Sequence, residues 1–249
     1  MAGARMEIKF DSIQVNDKQV HFAFAENDND TLLAFVHGSP GSWNAFIEYF
    51  KIDSLFDQMD MVSVDRPGYG NSEFGMPEYS VEEQASQIHQ AFEQFSHGTK
   101  ILIGHSMGGG IVARMAMDYP ESYHKLVLLA PTLDPDLEGE EWYNTLAKTR
   151  VGGALIPTEM WVSNEEIMAL SAELELMLDL WPQVTCEIVM MHGTKDWIVP
   201  FENVDFIRAQ VADSLLTIIE MEGVNHFIPF THIEEVVEVL QGVAVNRSM

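Results

Sequence analysis

The chain is poor in cysteine, in basic side chains and in long apolar runs, and each shortage excludes something. Its one cysteine, Cys186, has no partner for an internal disulfide, so nothing calls for an oxidising compartment. It opens the apolar run 186–191 and reads as a small buried residue. No stretch reaches the roughly 18 uninterrupted apolar residues of a membrane-spanning helix. Residues 1–7 lack the apolar segment of a signal peptide, and a cytoplasmic enzyme is the expectation. Lys and Arg number 13 against 39 Asp and Glu, a formal net charge of −26. Such a surface repels phosphate backbones and anionic lipid headgroups, which argues against nucleic acid or a membrane as partner. The nine histidines are scattered, with no H-E-x-x-H and no paired cysteines, so no metal is expected. A phosphate-cradling G-x-x-x-x-G-K-[ST] loop and a dinucleotide-binding G-x-G-x-x-G are also missing, and no cofactor is expected.

What remains is a chain of 249 residues, 47% of them hydrophobic, enough to bury one large core. Residues 6–25 read as two strands joined at Asn16-Asp17. Short apolar strands follow at 32–36, 61–64, 101–103, 126–129, 188–191 and 215–219. Between them lie helical patterns at 79–96, 107–118, 201–211 and 231–240, the first opened by a capping box of Ser80 and Glu83. Continuous apolar strands alternating with helices require a sheet covered on both faces. The expected fold is α/β: a mostly parallel eight-stranded sheet with helices on both sides. One segment breaks the rhythm. About fifty residues without a strand separate Pro131 from Cys186, and a connection of that length is usually functional. Residues 134–184 are therefore expected to form a small helical lid inserted into a core made of residues 1–133 and 185–249. Within the lid, Ser163-Asn164-Glu165-Glu166 reads as a second capping box opening a helix.

The sharpest motif is Gly104-His105-Ser106-Met107-Gly108, placed after a strand and before a helix. In that context G-x-S-x-G is a nucleophile elbow. The sharp turn strains the serine backbone, so the residues two away on either side must lack side chains. The helix that follows presents free N–H groups and the positive end of its dipole where negative charge develops in acyl transfer. A serine needs a base, and the base needs an orienting group. Chains with such an elbow place them in the order Ser, acid, His. Asp196 follows the strand at 188–191, and His226 follows the last strand. Ser106, Asp196 and His226 thus share the carboxyl edge of the sheet, where ligands bind in open α/β folds. The backbone N–H of Ser39, in the loop after the strand at 32–36, is expected to face that of Met107 across a substrate oxyanion.

Five pieces of the chain, HGSPGS (37–42), DRPGYGNS (65–72), GHSMGG (104–109), HGTKDWIVP (192–200) and NHF (225–227), resemble the α/β-hydrolase fold superfamily, within it the lidded branch of bacterial esterases, lipases and C–C hydrolases. The resemblance implies a serine hydrolase acting on a small-molecule carboxylic ester, and the apolar, aromatic lid face adds the expectation of a short to medium acyl chain. It implies catalytic roles for Ser106, Asp196 and His226 and an oxyanion hole from Ser39 and Met107. It makes 65–72 a structural loop, and His37 and His105 packing or hydrogen-bonded residues. Dehalogenases and epoxide hydrolases of this fold need a carboxylate at the elbow, where this chain has Ser106. Trp142, Tyr143 and Trp161 are candidate pocket residues. A C–C bond hydrolase of ring-cleavage products, a lactonase or perhydrolase, and a non-enzymatic small-molecule receptor are the alternatives. The first requires cation recognition of a carboxylate, and the lid carries only Lys148 and Arg150 as bases.

Overall fold

The computed structural model describes residues 6–138 and 156–245. Eight strands form one sheet: β1 (Lys9–Val15), β2 (Lys18–Ala25), β3 (Thr31–Val36), β4 (Asp60–Val64), β5 (Thr99–His105), β6 (Lys125–Leu129), β7 (Glu187–Gly193) and β8 (Leu216–Met221). Their spatial order is β1-β2-β4-β3-β5-β6-β7-β8. Strand β2 pairs antiparallel with β1 and β4, and every later pairing is parallel. The expected mostly parallel eight-stranded sheet is therefore the architecture found. Asn16 and Asp17, at φ 50° and 65°, close the first hairpin, in the left-handed region that Asn and Asp tolerate best.

The helices are α1 (Ile47–Phe50), α2 (Asp53–Phe56), α3 (Val81–Phe92), α4 (Met107–Asp118), α5 (Thr158–Glu175), α6 (Asn203–Gln210), α7 (Ile228–Thr231) and α8 (Ile233–Val245). Alternation along the central strands divides the apolar residues between two cores. Leu32, Ala34, Val36 and Leu102 face Ile88 of α3 and Val112 of α4. Leu33, Phe35, Ile101 and Ile103 face Tyr49 and Phe50 of α1 and Leu240 of α8. Both faces being covered, β3, β4 and β6 are buried from end to end, which is why they read as unbroken apolar runs rather than as alternating ones.

Three sequence expectations are corrected. Ser80 does cap α3, its hydroxyl accepting from the Glu83 N–H at 3.3 Å, but its own N–H goes to Glu78 rather than back to Glu83. The segment at 163–166 opens no helix: α5 starts five residues earlier, after Pro157, and Ser163, Asn164 and Glu166 lie buried in its interior. The S-x-x-E spacing arises there because Ser163 and Glu166 sit one turn apart on the inward face. Cys186 is only half-buried, just ahead of β7, and burial raises its thiol pKa to about 11. Within the segment expected as a lid, Leu170, Leu174 and Met177 join the core that contains α4. Among the described residues no helix is long and apolar enough to cross a membrane.

Candidate active site

Ser106 stands between the end of β5 and the start of α4 with φ 55° and ψ −126°, a combination sparsely populated for a residue with a Cβ. The surrounding backbone holds it there. The Ser106 N–H donates to Leu129 O at 3.0 Å, and its carbonyl accepts from the N–H groups of Gly109 and Thr132 at 2.8 and 3.1 Å. A Cβ on Gly104 would stand 2.7 Å from Val112 Cγ2, and one on Gly108 would stand 2.6 Å from the His37 carbonyl oxygen. The glycines flanking the serine are steric requirements of the turn, as the motif implied.

Asp196 lies in the loop after β7. One carboxylate oxygen accepts from the N–H groups of Ile198 and Val199, both at 2.9 Å. The other accepts from Nδ1 of His226 at 2.7 Å. In the neutral ring that contact places the proton on Nδ1 and makes Nε2 the acceptor. Burial opposes ionisation of Asp196. The hydrogen bond from His226, the nearby His226 charge and the two N–H groups outweigh it and hold the carboxyl below its usual range. His192, at the end of β7, donates from Nε2 to the Val199 carbonyl at 3.1 Å, and the same nitrogen lies 3.6 Å from the Asp196 carboxylate. It staples the loop that presents Asp196.

His226 is 4% exposed. Its carbonyl accepts from Nε2 of His105 at 3.1 Å, and the two rings are centred 4.8 Å apart. Through His105, the residue before Ser106, the backbone at His226 is tied to the turn between β5 and α4. Among the described residues the Ser106 hydroxyl is not hydrogen-bonded to the His226 ring; such bonds commonly tighten only around substrate. His105 is kept neutral by burial and by the charge of His226, which outweigh its bond to the His226 carbonyl and the attraction of Asp196 and lower its pKa to about 3. Burial and then Arg66 push His37 well below its ordinary value as well. Its Nε2 accepts from the Arg66 N–H at 3.0 Å, so its proton sits on Nδ1, which donates to Gly38 O at 2.7 Å. His37 is therefore engaged at both ring nitrogens, while His105 commits Nε2 to the His226 carbonyl.

The loop after β3 runs against the elbow: a Cβ on Gly38 would stand 2.9 Å from that of Ser106. Among the described residues the N–H groups of Ser39 and Met107 make no hydrogen bond. Asp65, in the 65–72 loop, accepts from the N–H groups of Trp43 and Asn71 at 2.8 and 2.9 Å and from the His21 ring at 2.8 Å. A cavity of about 460 Å³ lies beside these loops, lined by Pro40, Tyr69, Phe74, Glu159 and Phe230 among others. The Phe230 ring meets His105 edge-on at 5.6 Å. Trp161 is half-buried on α5 and is not part of that lining. Trp142 and Tyr143 lie outside the described residues. Among the described residues no group of three or more His, Cys, Asp or Glu side chains could hold a metal ion.

The model of the α/β-hydrolase fold family matches residues 31–154, the stretch that includes both the Gly38 loop and the elbow. The chain belongs to the α/β-hydrolase fold superfamily. Among curated members, this α/β-hydrolase chain is 26% identical over 117 residues to epoxide hydrolase 1 of Caenorhabditis elegans, a match covering 46% of the chain and 28% of that protein. It therefore spans less than a third of that relative. Over 269 residues it is 23% identical to the proline iminopeptidase PfmaB of Pestalotiopsis fici, covering 90% of the chain and 94% of the relative. The solved esterase EaEST from Exiguobacterium antarcticum shares the fold, with a TM-score of 0.73, 21% identity and coverage of 94% of this chain and 98% of that one.

Sequence reasoning missed the buried ion pair between Arg66 and Glu166. In the sequence Arg66 reads only as part of a structural loop and Glu166 as a helix cap. The available signal was a glutamate on the same helical face as Leu170 and Leu174, positions that point inward.

Proposed function

We propose that the chain is a serine hydrolase that cleaves carboxylic esters through an acyl-enzyme. The observation that carries this reading is the 2.7 Å contact between Asp196 and Nδ1 of His226, which leaves Nε2 basic beside the elbow. His226 Nε2 takes the Ser106 hydroxyl proton as Oγ attacks the ester carbonyl. The tetrahedral oxyanion is held by the N–H groups of Ser39 and Met107. Collapse expels the alcohol, which receives the proton from His226. Water, deprotonated by the same ring, then attacks the acyl carbonyl and releases the acid and Ser106. Asp196 fixes the tautomer and stabilises the imidazolium. A serine rather than a carboxylate at the elbow separates this chemistry from that of epoxide hydrolases. A cavity of about 460 Å³ edged by Phe74 and Phe230 suits short to medium acyl groups.

The test is a series of p-nitrophenyl esters of rising acyl length, assayed with the native protein and with Ser106→Ala, alongside active-site labelling by a fluorophosphonate. Because an acyl-enzyme also forms from amides, proline p-nitroanilide belongs in the series. Hydrolysis that disappears with Ser106, and labelling confined to the native chain, are expected. Turnover that survives in Ser106→Ala refutes the mechanism.

A further inference from the structure

Glu166 comes from the middle of α5, and its side chain, like that of Arg66, has no exposed surface. Its Oε1 accepts from Arg66 Nη1 at 3.2 Å and from Gln84 Nε2 at 3.1 Å. Its Oε2 lies 3.1 Å from Arg66 Nη2, 2.6 Å from the Tyr69 hydroxyl and 2.8 Å from the Ser39 hydroxyl, and those two hydroxyls are 2.7 Å apart. One carboxylate thus gathers the loops after β3 and β4 and helix α3 onto a single point. Removing two charges from water is costly, and apolar side chains of the same volume often stabilise a fold as well or better. A role in positioning gives such a pair a reason to be kept.

The geometry identifies what is positioned. Arg66 Nη2 also reaches the Gly38 carbonyl at 3.3 Å, the oxygen that accepts from His37 Nδ1 at 2.7 Å. That oxygen and the Ser39 N–H belong to one peptide unit. In a planar trans peptide the two point in opposite directions. Two donors that draw the Gly38 oxygen inward therefore turn the Ser39 N–H outward, and the same peptide leans on Ser106.

We infer that Glu166 is a positioning residue for the reaction at Ser106. Its charge holds the Arg66 guanidinium against Gly38 O, and its bond to the Ser39 hydroxyl fixes the following residue. The oxyanion donor from the β3 loop is thereby set by α5. This role rests on the hydrolase reading above.

The experiment measures kcat and KM on p-nitrophenyl butyrate, per fluorophosphonate-titrated site, for the native chain, Glu166→Gln, Ser39→Ala and Glu165→Gln. The affinity of phenylboronic acid, which forms a tetrahedral adduct with the serine, is measured in parallel. Removing a whole oxyanion donor costs on the order of 10²–10³ in rate, so misorienting one is expected to cost about tenfold or more. Glu166→Gln should therefore lower kcat by that factor with KM little changed. Phenylboronic acid should weaken by a similar factor, and the pH midpoint of kcat/KM should stay in place because His226 is untouched. Ser39→Ala keeps the backbone N–H and should show a smaller loss in the same direction. Glu165→Gln, on the same helix, should match the native protein. A purely structural tether would lower the melting temperature or the fraction of titratable sites and leave kcat per site and boronate affinity at native values; that result overturns the inference. If Glu166→Gln does not fold, Ser39→Ala and Gln84→Met carry the test, and native kcat and boronate affinity in both overturn it. A native chain that neither turns over esters nor labels sinks the hydrolase reading itself, and the positioning role with it. An active native chain with unaltered variants sinks only the positioning role.

Discussion

Nδ1 of His226 stands 2.7 Å from one oxygen of Asp196, while the other oxygen is held by the N–H groups of Ile198 and Val199. The carboxylate is anchored independently of the ring it orients. In Asp196→Asn the amide oxygen can still accept from the two N–H groups, but its NH2 faces Nδ1 and favours the wrong tautomer. The loop should survive with little change in melting temperature. Ester turnover should fall by about 10⁴, the scale of losing a triad carboxylate by this substitution. Turnover within tenfold of native would remove Asp196 from the mechanism.

The backbone of Ser106 makes a second, opposite prediction. At φ 55° and ψ −126° it stores strain of about 1–3 kcal/mol that glycine does not carry. Ser106→Gly should therefore raise the urea midpoint while abolishing fluorophosphonate labelling. Ser106→Ala, which keeps the Cβ, should abolish labelling without a comparable gain. Equal stability in the two variants would show that the elbow is unstrained.

Buried histidines set the acid limb of the stability curve. Burial is the leading cause that keeps His37, His105 and His192 neutral below their ordinary value of 6.5. As pH falls below 6.5 the unfolded chain takes up protons that the folded chain does not, His105 resisting down to about 3. Their contribution to stability is therefore intact above about pH 6.5 and declines between there and pH 3. Each histidine adds up to about 1.4 kcal/mol per pH unit to that slope. Denaturant midpoints measured from pH 7 to pH 4 should show the slope, and His105→Gln should flatten it by at most one proton. A slope unchanged in that variant would mean that His105 titrates alike in both states.

The net charge of −26 sets a salt response. Self-repulsion of so acidic a shell is weakened as the screening length contracts from about 30 Å at 0.01 M to 3 Å at 1 M. The melting temperature should rise between low and molar NaCl. A flat or falling profile would show that the acidic side chains are already compensated locally.

The legible parts of this chain are the ones whose physics is local. Gly104 and Gly108 bracket a serine at the spacing of a tight strand–helix turn, so the elbow could be read from five residues together with the apolar strand before them and the helical pattern after them. The buried strands announced themselves as apolar runs, and Asn16-Asp17 marked the hairpin. Asp196 and His226 were legible because each follows a strand, and parallel strands bring their carboxyl ends to one edge. The start of the helix at 158–175 is hidden from the sequence for a complementary reason. Ser163 and Glu166 have the spacing of a cap, and nothing within the segment shows that both turn inward.

The sequence by itself determined the sheet, the elbow and the acidic shell, because steric limits on backbone dihedrals, side-chain alternation and charge count act over a few residues or need no coordinates. Only the tertiary structure decided that His105 donates to the His226 carbonyl, that His37 is bound at both ring nitrogens, and that Glu166 closes on Arg66 from a hundred positions away. Those pairings are selected by which faces meet when both sides of the sheet are covered. A buried charge gives no hint of its partner until the chain has removed every competing water.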